Sequence, residues 1–170
     1  MKLLGLPGRE PSTLAQMEAL LARLEIGQTE TEIRHHGFWA TDWSDPDVLP
    51  EAEAVARLSA DLVIAKSIGT LVAMLAVARE GFAPTACVFI ATPLNRLIAE
   101  EEVALLEAHC AAIPTLFVQQ SDDFNGAYGP LAQIVARHPG CAAVEIPGGD
   151  HLYEDIELIA PLIEAWVNDA

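Results

Sequence analysis

Positive charge is what this chain has least of. Nine lysines and arginines stand against 25 aspartates and glutamates, a formal charge of −16 over 170 residues. A polyanion approaching such a surface meets repulsion and finds few cations with which to release counterions, which argues against nucleic acid as a partner. Cysteine is scarce as well. Cys87, Cys110 and Cys141 are odd in number and lack close metal-ligand spacing, and two of them lie in apolar runs where cysteine behaves as a small hydrophobe. A reducing compartment, the cytoplasm, fits that usage. Long apolar runs are missing: Leu71 to Ala78 is far short of a membrane span, and Met1 to Pro7 is too short for a signal peptide. Glycine and proline are scattered as punctuation, and there is no internal repeat or low-complexity tract. With 52% hydrophobic residues, the remainder reads as one globular α/β domain over residues 1–170, large enough to bury a core on both sides of a sheet.

Strand-like segments fall at Lys2–Leu6, Glu32–His36, Leu62–Lys66, Ala86–Ala91, Thr115–Gln120 and Ala142–Ile146, and helical patterns separate them. This βαβα order predicts a mostly parallel six-stranded sheet with helices on both faces, a three-layer α/β/α sandwich. Runs such as Leu62-Val-Ile-Ala65 are apolar throughout, as a strand covered on both sides requires. The first helix is expected from Ser12 or Thr13 to Gly27, with Thr13 and Gln16 at capping-box spacing. Further helices are expected over Pro50–Ala60, Ile68–Arg79, Glu100–Ala111, Gly129–His138 and Tyr153–Asn168. The aromatic and turn-rich stretch from Gly37 to Pro46 is expected to cross the carboxyl edge of the sheet, where Phe38, Trp39 and Trp43 would line a pocket.

Loops that leave the carboxyl ends of parallel strands are where ligands gather. At Ala65-Lys66-Ser67-Ile68-Gly69 a strand pattern breaks at a serine and a helix pattern begins at once. That is the layout of a nucleophile elbow, in which small residues two before and two after the serine let a strained turn close. A serine needs a base to attack at neutral pH, and the base needs a carboxylate to fix its tautomer. Ser121-Asp-Asp-Phe-Asn-Gly126 follows the fifth strand and Pro147-Gly-Gly-Asp-His151 follows the sixth, so the order along the chain is serine, acid, histidine. Either Asp122 or Asp123 could supply the carboxylate, and either could instead close an Asx-turn. Arg9 and Lys66, two of the nine basic residues, both fall beside this site and would make a local positive spot favouring a substrate with a carboxylate.

The chain resembles the α/β-hydrolase superfamily over almost its whole length, in particular the small lidless members of esterase or dienelactone-hydrolase-like type. Ala65-Lys-Ser-Ile-Gly69 is similar to the family's elbow, with alanine at the first glycine, and Gly148-Gly-Asp-His-Leu-Tyr153 is similar to the loop presenting its histidine. The resemblance implies Ser67 as nucleophile, His151 as base and Asp123 rather than Asp122 as the acid. Leu6-Pro-Gly-Arg9 matches the oxyanion loop in position, which implies the backbone amides of Arg9 and Ile68 as oxyanion donors. It further implies hydrolysis of a small ester or related acyl bond with no cofactor. The family's first two antiparallel strands and its cap domain are absent, so the site should be shallow and open. The alternative is a hydrolase-like fold without activity that binds a partner.

No metal site is expected. His35 and His36 are adjacent, and on a strand they would point to opposite faces, although Asp42, Asp45 and Asp47 lie nearby. His109 and His138 read as surface residues near helix C-termini.

Overall fold

The computed structural model describes residues 1–97 and 100–169. Six strands, β1 (Lys2–Leu6), β2 (Glu30–Ile33), β3 (Leu62–Lys66), β4 (Ala86–Ile90), β5 (Thr115–Gln120) and β6 (Cys141–Ile146), form one sheet in the order β2-β1-β3-β4-β5-β6. Every neighbouring pair is parallel. Among the described residues five α-helices connect them, α1 (Thr13–Arg23), α2 (Leu49–Ala56), α3 (Ile68–Glu80), α4 (Glu100–Ala112) and α5 (Tyr128–Val135), and a sixth, α6 (Ile156–Asp169), follows β6. The three-layer α/β/α sandwich expected from the alternation is the fold observed.

Strand periodicity divides the core in two, because successive side chains leave a strand on opposite faces. Leu4, Leu6, Val63, Ala65, Phe89 and Phe117 face α2, α3, α4 and α5, where Val55, Val72, Leu106 and Leu131 meet them. Leu3, Ile64, Val88, Leu116 and Val118 face α1 and α6, where Met17, Leu20, Ile159 and Ile163 meet them. Both faces of β3 are therefore covered, and all five of its residues are buried. Its apolar sequence is a consequence of that placement.

The order β2-β1-β3 places the reversal of winding between β1 and β3. The chain leaves β1 towards one face, into α1, and leaves β3 towards the other, into α3. The two loops diverge there and open a crevice at the carboxyl edge.

Several boundaries differ from the sequence expectation. β2 is Glu30–Ile33, so His35 and His36 lie beyond the strand and its two-faced alternation does not apply to them. α1 stops at Arg23, four residues before Gly27. Thr13 and Gln16 form no capping box: the Thr13 hydroxyl donates to Glu10 O at 2.6 Å, and the Gln16 side chain turns away to Lys66 and the Leu152–Tyr153 backbone. α6 begins at Ile156, with Asp155 Oδ1 accepting from the Leu158 amide at 3.0 Å, which leaves Tyr153 in the preceding loop. His109 is 1% exposed, stacked on Phe89 at 4.8 Å, and is no surface residue. Among the described residues no helix is long and apolar enough to cross a membrane.

Candidate active site

Ser67 is the junction between β3 and α3, with φ 51° and ψ −119°. A non-glycine residue in this region costs about 1–3 kcal/mol and persists only where its surroundings hold it. Two contacts do so: the Ser67 amide donates to Ile90 O of β4 at 2.9 Å, and Ser67 O accepts from the Thr70 hydroxyl at 2.8 Å. Gly69 lets the turn sit against its neighbour, since a Cβ there would lie 2.4 Å from Leu6 O and 2.6 Å from Pro7 O. Ala65 needs no such space. Its methyl is fully buried in the core between the registers of Leu6 and Phe89.

Ser67 Oγ lies 2.9 Å from His151 Nε2. The other ring nitrogen, Nδ1, lies 2.9 and 2.8 Å from the two carboxylate oxygens of Asp123. Three residues spread over 85 positions are thus joined in one hydrogen-bonded chain. Asp123 is the carboxylate at the imidazole, whereas Asp122 is exposed and its backbone amide is bound to Gly148 O. Asp123 also closes the Asx-turn, accepting from the Asn125 amide at 2.8 Å, so the two roles foreseen for it coexist.

Burial raises the Asp123 carboxyl, yet hydrogen bonds from His151, Tyr153 and the Asn125 amide outweigh it and hold the group below its ordinary value. The Tyr153 hydroxyl donates to Asp123 Oδ2 at 2.7 Å and accepts from the Gln120 amide at 2.7 Å. Burial first, and the adjacent carboxylate next, push the Tyr153 phenol well above its ordinary value, so it stays a donor. Gln120 in turn orients the histidine loop. Its Oε1 accepts from the His151 amide at 3.1 Å, and its Nε2 donates to Asp150 Oδ1 at 2.9 Å.

A cavity of about 730 Å³ opens above Ser67, lined among others by Gly8, Arg9, Lys66, Ile68, Phe124 and His151. Among the described residues the amides of Arg9 and Ile68 have no backbone acceptor. Ile68 is the first residue of α3, where the unpaired amides and the helix dipole favour negative charge. The β1–α1 loop that carries Arg9 hangs on two side chains from beyond β2: His36 Nε2 is 3.0 Å from Pro7 O, and Trp39 Nε1 donates to Arg9 O at 2.8 Å.

Phe38, Trp39 and Trp43 are not among the residues lining the cavity, contrary to the expectation for this aromatic stretch. Phe38 is buried and stacks on His36 at 4.7 Å, Trp39 is turned to the Arg9 carbonyl, and Trp43 lies under the Arg9 guanidinium at 5.8 Å. They buttress the β1–α1 loop from outside because β2 ends early and the chain folds back behind that loop. Behind them sits Glu51, which accepts from Arg34 Nε at 3.0 Å and from the Gly37 amide at 2.6 Å, with His36 Nδ1 at 3.3 Å. Burial works against the Glu51 charge, but these donors prevail and bring its carboxyl down to about 2.

Lys66 does line the cavity, though its amine is engaged by Gln16 Oε1 and Leu152 O. Burial lowers the ammonium to about 8, opposed by Glu154, Asp150, Asp123 and Glu10. Its place in the structure is a clamp from β3 across α1 to the loop after β6. Arg9 also reaches the cavity, with Glu10 at 3.8 Å.

Gln16, His36, Glu51, Gln120 and Tyr153 escaped the sequence reading. Most of their partners lie far along the chain, as Tyr153 to Asp123 and Gln16 to Leu152, and no local spacing marks such pairings; the sequence marks Gln16 only at a capping-box spacing, Tyr153 only as a helix start and His36 only as half of a histidine pair. Among the described residues no cluster of three or more histidines, cysteines or acids could hold a metal ion. In comparison with known proteins, the chain matches no protein-family model, and no curated protein matches its sequence.

Proposed function

We propose that this protein is a serine hydrolase of the α/β-hydrolase type that cleaves a small ester or related acyl bond through an acyl-enzyme at Ser67. The observation that carries the reading is the unbroken relay Ser67 Oγ–His151 Nε2–Asp123, with links of 2.9 and 2.8 Å, at the carboxyl end of a parallel sheet. A serine held at φ 51° and ψ −119° is a second support, because that costly geometry is what lifts the hydroxyl clear of the sheet.

In the proposed reaction Ser67 Oγ attacks the acyl carbon while its proton passes to His151 Nε2. Asp123 orients the ring and stabilises the imidazolium. The oxyanion is met by the Arg9 and Ile68 amides, which have no backbone acceptor of their own among the described residues. Collapse of the tetrahedral intermediate breaks the bond to the leaving group, which takes the proton from His151. Water then repeats the sequence on the acyl-enzyme, releasing acid and restoring Ser67. The chemistry consumes only substrate and water. A small-molecule substrate fits a chain with nine basic and 25 acidic residues better than a polyanion does, and three free cysteines fit a cytoplasmic setting.

Incubation with a fluorophosphonate followed by intact mass spectrometry tests the reading. One adduct at Ser67, absent from Ser67→Ala, is expected. An unmodified wild-type protein would sink it and favour the partner-binding alternative.

A further inference from the structure

We propose that the wall of the cavity beside His151 is a leaving-group subsite selecting esters of neutral, apolar alcohols. The inference rests on the hydrolase reading and extends it. In acylation the Ser67 Oγ–acyl bond forms, the ester C–O bond breaks, and the proton taken from Ser67 is delivered by His151 Nε2 to the departing oxygen. Whatever that oxygen carries must lie against the side chains around the imidazole.

Two of those side chains are large, apolar and exposed. Phe124 is 64% exposed with its ring centroid 5.7 Å from that of His151, and Leu152, the next residue after His151, is 52% exposed. Both line the cavity. Neither is left in water by accident of a mobile turn: Phe124 O accepts from Asn95 Nδ2 at 2.6 Å, and the Leu152 amide donates to Asp150 Oδ1 at 2.9 Å while its carbonyl takes the Lys66 amine. A hydrogen-bonded backbone therefore presents two apolar side chains at the point where the alcohol departs. Their contact area is recovered when an apolar group covers them.

Charge narrows the class. Asp150 and Glu154 line the cavity two residues to either side of Leu152, and Asp123 stands ionised behind the imidazole. Lys66 already lies in the field of these carboxylates and of Glu10. Arg96 also lines the cavity, as does Arg9 on the oxyanion loop, but the acids bracket Leu152 itself and the whole chain carries −16. An alcohol bearing a carboxylate, sulfonate or phosphate is disfavoured there.

Acetate esters sharing one acyl group test this: 1-naphthyl acetate, phenyl acetate and a carboxylate-bearing phenyl acetate, with the wild type and with Phe124→Ser and Leu152→Ser. The wild type is expected to favour the naphthyl ester by kcat/KM and to turn over the carboxylate ester slowest. Each variant is expected to lose about tenfold in kcat/KM on the naphthyl ester, the scale of one apolar contact in a specificity pocket. The loss should fall on the burst, which reports acylation, since the alcohol has left before deacylation. Fluorophosphonate labelling of the variants shows that the relay is intact in each. Turnover with no preference, a preference for the carboxylate ester, or a preference unchanged in both variants overturns the subsite and leaves the hydrolase reading standing. Absence of both turnover and labelling in the wild type overturns both.

Discussion

Gly69 is the residue whose identity the site can least change. A methyl there would press on two backbone carbonyls, Leu6 O and Pro7 O, and neither can swing aside as a side-chain end could. Gly69→Ala is expected to lower stability by about 1–3 kcal/mol and to abolish fluorophosphonate labelling by displacing the β1–α1 loop; retained labelling with an unchanged urea midpoint would refute this. His36 acts on the same loop from its other side. Its ring is held between Pro7 O and Glu51, fully buried. Replacing it by leucine removes the contacts that its two ring nitrogens make with Pro7 O and Glu51, which costs about 1–3 kcal/mol. On the proposed mechanism, kcat on an ester substrate is expected to fall by about tenfold or more with KM nearly unchanged, because an amide assigned to the oxyanion counts mainly in the transition state. A change confined to KM would show that the loop serves binding alone.

At the scale of elements, helices α2 and α4 each carry part of the acid sensitivity of the fold. In α4, burial holds His109 neutral and lowers its ionisation to about 4, and its Nδ1 has no partner among the described residues. The unfolded chain takes up a proton at about 6.5 that the folded chain refuses, so stability present at neutral pH is lost as pH falls from about 6.5 towards 4. In α2, Glu51 is depressed from 4.5 to about 2 by its donors. Its contribution is complete above the ordinary carboxylate range and is lost as pH falls from 4.5 through about 2. Acid unfolding is therefore expected in two windows, with a slope of up to about 1.4 kcal/mol per pH unit in the upper one. Urea titrations of the wild type and of His109→Gln between pH 7.5 and pH 4.5, roughly the span of the upper window, decide the matter: the variant should lose the upper slope, and parallel curves would dismiss His109 as its source. The elements themselves were legible wherever burial on both faces made a strand apolar, as in β3, β4 and β5. β2 was misplaced because it lies at the sheet edge, mostly exposed, and its sequence Glu-Thr-Glu-Ile carries no apolar run. The helix expected from Tyr153 starts three residues later, at Ile156, for a different reason. Residue 153 takes φ 55° to turn its hydroxyl onto Asp123, a distant demand that local helix propensity does not contain.

Across the whole molecule, a formal charge of −16 sets carboxylates against one another on a compact body. Screening relieves that repulsion, so raising NaCl from about 10 to 300 mM is expected to raise Tm by roughly 2–5 °C. A flat or falling Tm would mean that the ion pairs present, such as Arg23 with Glu157 and Glu164, matter more than the excess charge. Composition and periodicity alone determined a one-sheet α/β chain, the places where β1, β3, β5 and β6 end, and the order in which a serine, an acid and a histidine follow those ends. These are local properties, readable from a few residues at a time. Only the tertiary structure brought Asp123, the acid that the family resemblance implied, to the imidazole, and only it decided that the aromatics after β2 brace a loop instead of lining a cavity and that Lys66 clamps the histidine loop. Each of those outcomes is a contact between segments tens of residues apart, set by the winding reversal at β1 and β3 and by the packing of two helical layers, and no short stretch of sequence holds that information.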